Sequence, residues 1–76
     1  MIREHDVIVL ACDLAEFSLK VGDLGTVVHL YPDGAYEVEF VTLEGMPVVI
    51  ATLEKKQVRP VGPREIHHAR SLESSP

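Results

Sequence analysis

Lys20-Val21-Gly22-Asp23-Leu24-Gly25-Thr26-Val27-Val28-His29-Leu30-Tyr31-Pro32-Asp33-Gly34-Ala35-Tyr36-Glu37-Val38-Glu39-Phe40 reads as two strands and the turn that reverses the chain between them. Gly22 and Gly25 flank Asp23-Leu24, and glycine at such a turn permits a positive φ or a close backbone approach. A strand over residues 26–31 follows, with Thr26, Val28 and Leu30 on one face and Val27, His29 and Tyr31 on the other. Pro32-Asp33-Gly34 supplies the reversal, because proline presets φ and glycine takes the left-handed position. The returning strand, residues 35–42, alternates cleanly: Tyr36, Val38 and Phe40 point one way, Glu37 and Glu39 the other. Such alternation belongs to an antiparallel sheet with one buried face.

Outward from this hairpin the same grammar repeats. Residues 6–11 are a short β-branched run and read as the first strand. Residues 12–21 are broken by Asp13, Glu16 and Ser18, yet Leu14, Phe17 and Leu19 recur through them. They read as a long loop folded back onto the core, with room for one helical turn around Ala15. Beyond the hairpin, Leu43-Glu44-Gly45-Met46 is a turn and Pro47 opens a fourth strand over residues 48–53. Residues 54–57 suit a short 3₁₀ turn, and residues 58–61 a closing strand with Pro60 near its edge. The expected fold is therefore all-β, a small closed five-stranded barrel over residues 1–61. Residues 62–76 form a C-terminal appendage with two readings: a tail, or a short helix from Pro63 to about Leu72 in which Ile66, Ala69 and Leu72 recur at a spacing of three.

Length and composition bound the function. Seventy-six residues make at most one domain, whose core supplies only about 3–5 kcal/mol of net stability. An apolar content of 46% marks a globular chain. Cys12 is the single cysteine, which excludes an intrachain disulfide and a four-thiolate zinc site. No charged-then-apolar leader and no 18-residue apolar run is present, so the expected location is the cytoplasm, away from membranes. Twelve acids against seven bases give a net charge of −5, and residues 6–61 carry the imbalance. Such a field repels phosphate backbones and favours a basic protein partner.

The succession of strands resembles an SH3-like barrel, and Gly22-Asp23-Leu24-Gly25-Thr26-Val27-Val28 looks like the start of strand two in the ribosome-associated KOW subclass. More closely, about three-quarters of the chain resembles a family of small bacterial proteins catalogued as a domain of unknown function. The resemblance rests on Asp6-Val7-Ile8-Val9-Leu10, on Leu19-Lys20-Val21-Gly22-Asp23-Leu24-Gly25-Thr26-Val27-Val28 and on Tyr36-Glu37-Val38-Glu39-Phe40. Thr52-Leu53 and Gln57-Val58-Arg59-Pro60-Val61 complete it. It implies a fold rather than an activity, and some members look like halves of two-gene toxin–antidote or immunity pairs. Two departures narrow the choice. Polyproline-binding SH3 domains use an aromatic ladder with a tryptophan, whereas this chain has no Trp and only Phe17, Tyr31, Tyr36 and Phe40. RNA-binding KOW modules have basic loops, and these are acid-rich.

Chemistry-bearing groups are sparse. Glu37 and Glu39 share a strand face about 6.5–7 Å apart, a separation compatible with acid–base work but ordinary for a solvated outer face. His5, His29 and the adjacent His67-His68 lack metal-ligand spacing. Neither a nucleophile elbow nor a phosphate loop occurs. The expectation is a non-enzymatic protein with no cofactor and no metal.

The feature that points to function is apolarity on both faces of the first and fourth strands. Val49 and Ala51, with Val27, Val41 and either Val7 or Ile8, are left on what should be the wet exterior. The expected interface is this set, rimmed by Glu37 and Glu39, covered by a basic protein or a second copy of the chain. The competing cover is the chain's own Ile66, Ala69 and Leu72. A second functional reading, RNA or ribosome binding, rests on Lys20, Lys55, Lys56 and Arg59.

Overall fold

The computed structural model describes residues 1–72. Five strands form one antiparallel sheet: β1 (Val7–Leu10), β2 (Leu24–Leu30), β3 (Tyr36–Val41), β4 (Pro47–Leu53) and β5 (Val58–Pro60), in the spatial order β4-β3-β2-β1-β5. Two 3₁₀ turns, Ala15–Phe17 and Lys55–Gln57, complete the regular structure, at the places the sequence allots them. No helix among the described residues is long and apolar enough to cross a membrane.

β2 is the central strand of the five. Its first half pairs with β1 (Val7↔Thr26, Ile8↔Gly25, Val9↔Leu24) and its second with β3 (Thr26↔Glu39 through Leu30↔Tyr36). The two glycines before and within it do different jobs. Gly22 has φ +97° and turns the chain. Gly25 instead lets the sheet fold tightly over itself: a Cβ there would stand 2.6 Å from Val38 Cγ1 and 2.8 Å from Phe40 Cε2.

The inner face gathers Ile8, Leu10, Val27, Val38, Phe40, Ala51 and Leu53, with Leu19 and Val58 closing the ends. Leu14 and Phe17 lean on this core from the long loop, as their recurrence predicts. That loop is tied off by reciprocal backbone hydrogen bonds between Leu14 and Leu19 (2.9 and 3.1 Å) and sewn to β1 by Gly22 N–H donating to the Leu10 carbonyl (2.8 Å). Among the described residues no polar or charged side chain is buried, so the core rests on apolar burial alone.

One expectation, closure of the barrel, is corrected, and two alternatives left open by the sequence are decided. The sheet is open: β4 and β5 lie at its two ends and do not pair, β4 starting at Pro47 and the three-residue β5 ending at Pro60. Residues 62–72 form no helix. A turn forms instead, in which the Glu65 carboxylate accepts from the Gly62 N–H (2.6 Å) and grips Arg59 (2.7 and 2.8 Å). A helix so short needs an apolar surface to lie on, and Ile66 is 90% exposed. The fold-back cover by Ile66, Ala69 and Leu72 is therefore not formed: Leu72 too is exposed. Residues 73–76 lie outside the described residues.

Candidate functional site

Two bulges decide which side chains reach the surface. In the β2–β3 ladder Val27 pairs with Val38 but His29 pairs with Glu37, so Val28 is an extra residue. In the β3–β4 ladder Phe40 pairs with Val49 but Val41 pairs with Pro47, so Val48 is extra. A bulge inserts one residue and exchanges the faces beyond it. Val27 accordingly joins the core with 0% exposure, although His29, two residues on, lies outside. On β4, Val49, Ala51 and Leu53 turn inward, and Ile50 and Thr52 turn outward beside Glu39 and Glu37.

The expected interface is thus half corrected. Val27 and Ala51 are core residues and offer nothing to a partner, and Val49 is half-buried against the core. Val41 is exposed, and Glu37 and Glu39 are half-buried on the outer face as read from the alternation. The apolar side chains that do reach solvent at this end of the sheet are Val41, Leu43, Met46 and Ile50. Glu39 pairs directly with Ile50, and Glu44 sits in the intervening turn, so acids rim the patch. From Val49 onward β4 alternates without interruption, so the expectation chose the wrong parity as its outer one: Ile50 and Thr52, not Val49 and Ala51, face out, and Met46 lies in the turn before the strand.

At the other end of the outer face lies a polar cluster. The Tyr31 hydroxyl donates to Glu37 Oε1. That bond, with the neighbouring negative charge, pushes the Tyr31 phenol above its ordinary value of 10.0. His29 meets Tyr31 edge to face at 4.6 Å and stands 3.7 Å from Glu4. Glu37 is therefore a hydrogen-bond acceptor for Tyr31. No group of three or more His, Cys, Asp or Glu among the described residues could hold a metal ion.

The candidate nucleic-acid patch is divided by local carboxylates. Arg59 forks onto Glu65, and Lys56 lies 3.6 Å from Glu54. Lys20 lines a cleft of about 230 Å³ together with Asp13, Ala15, Ser18, Leu19 and Arg70. In that cleft Arg70 reaches back across the loop: its Nε and one terminal nitrogen donate to the two Asp23 carboxylate oxygens (2.9 and 2.5 Å), and the same terminal nitrogen donates to the Ser18 carbonyl (2.9 Å). Burial alone would raise the Asp23 carboxyl. The Arg70 fork, the Lys20 backbone N–H (2.8 Å) and the two positive charges outweigh it and hold Asp23 below its ordinary 3.8.

An open antiparallel sheet of this size around an apolar core defines the chain as a small all-β domain. The chain belongs to the family described as Domain of unknown function (DUF4926), whose model matches residues 4–60. It has no significant match among curated proteins or among solved structures.

Proposed function

We propose that this is an SH3-like, KOW-type, non-enzymatic protein-binding module that works in the cytoplasm on a basic protein partner. The partner lies on the outer face of β3 and β4, its apolar groups against Val41 and Ile50 and its cations against Glu39 and Glu44. An antidote, immunity or accessory role is the concrete form, suggested by the resemblance of the chain to halves of two-gene pairs. The observation that carries the reading is that Ile50, 53% exposed in the middle of a strand, sits beside a carboxylate on an uncovered sheet end. A large apolar group so placed gains by being covered, and the net charge of −5 selects what covers it.

The test is co-purification from native lysate of the natural source, with the captured protein identified by mass and re-made pure. Ile50→Asp should weaken its binding at least about tenfold while leaving the fold intact. Equal binding by the variant overturns the reading. RNA binding is checked on a heparin column, where early elution at low salt is expected because only weak phosphate contacts oppose the acidic field.

A further inference from the structure

The family-matched region stops at residue 60, yet the chain beyond it returns to the domain and places one side chain with care. From residue 63 to 72 every residue is exposed, and the stretch contains no strand or helix. Within it the Arg70 side chain is only 27% exposed and that of its acceptor Asp23 only 18%. Both acceptors of the seat are also held by interactions that do not involve the arginine. Asp23 is fixed by accepting from the Lys20 N–H at 2.8 Å, and its own carbonyl accepts from Leu10 N–H at 2.8 Å. The Ser18 carbonyl is aimed by the left-handed conformation of Ser18 (φ +61°) at the end of the 3₁₀ turn. A carboxylate and a carbonyl that both face one guanidinium match its fork of N–H donors and would serve an ammonium less well.

We propose that the Asp23–Ser18 seat is an arginine-binding site of the domain, filled in cis by Arg70 and open to an arginine of a basic protein when the tail lifts away. The tail is then a tethered competitor. Its exposed residues contribute little burial to hold it down, while its tether keeps it at a high effective concentration. An outside arginine binds only the fraction of molecules whose seat is empty, and its apparent affinity falls by that fraction. The proposal shares with the function above only the sign of the partner's charge, since its residues lie on the loops around β1 and β2 rather than on β3 and β4.

The experiment uses the full chain and the Arg70→Gln variant, both ¹⁵N-labelled. The probe is a capped peptide of residues 66–72, Ile-His-His-Ala-Arg-Ser-Leu. With the variant, saturable amide shifts are expected at Ser18, Lys20 and Asp23. If the tail is seated nine-tenths of the time, the wild type should need about tenfold more peptide. The same peptide carrying glutamine for its arginine should produce none of these shifts. The amide signals of Val27 and Phe40 in the core report that the variant is folded. Equal apparent affinity for wild type and variant, shifts that survive loss of the peptide's arginine, or no saturable shift at all each overturn the proposal. None of these readouts depends on Ile50, so this result and that of the β3–β4 face are separable.

Discussion

Gly25 and Glu65 show how single residues act through what touches them. Any side chain at Gly25 meets Val38 and Phe40 at under 3 Å, and Phe40 is 2% exposed and cannot withdraw. Gly25→Ala should therefore destabilise by about 1–3 kcal/mol, the usual cost of overfilling a packed core, read as a lower urea midpoint with an unchanged slope. Glu65 carries the opposite kind of information. The Arg59 fork, helped by the Gly62 N–H, holds its carboxyl at about 2 rather than the ordinary 4.5. A depressed folded value means the group favours the turn at all pH above 4.5 and loses that influence as pH falls toward 2. The Gly62 amide shift should accordingly stay constant from neutrality to about 4.5 and move with a midpoint near 2. Tyr31 gives a third check. Its phenol should ionise above 10.0 in an ultraviolet titration and return toward that value in Glu37→Gln.

At the scale of the strand, the two bulges make the inner and outer faces separable by substitution. Val27→Asp and Ala51→Asp bury an unpaired carboxylate in a domain whose margin is only about 3–5 kcal/mol. Both should be unfolded at room temperature by circular dichroism. Val41→Asp and Ile50→Asp put the same charge on exposed positions and should remain folded, with changes within about 1 kcal/mol. The reverse outcome would mean that the two faces are exchanged and, for Val27, that Val28 is not the extra residue. This is also where the sequence stops being readable. β3 declares its faces because Glu37 and Glu39 interrupt Tyr36, Val38 and Phe40. In β2 and β4 the inserted residue is one valine of a Val-Val pair, Val27-Val28 and Val48-Val49, and two identical neighbours conceal which of them slips. Strand count, order of elements and both 3₁₀ turns were legible from local chemistry. The Asp23–Arg70 contact was not, because its partners stand 47 residues apart and nothing in either neighbourhood names the other.

Over the whole molecule, the uneven quality of the strand ends matters more than any single contact. The sheet stops at β4 on one side and β5 on the other, and each border carries a proline, Pro47 at the start of one and Pro60 at the finish of the other. Proline has no amide hydrogen to give, so each border is a template with a missing rung. Pro47→Val would restore that rung beside Val48, Val49 and Ile50, and concentrated solutions of this variant should develop thioflavin fluorescence while the wild type stays clear. In an unclosed sheet of so few residues, the imino acids that bound the two outer strands should thus also hinder one molecule from stacking onto the next.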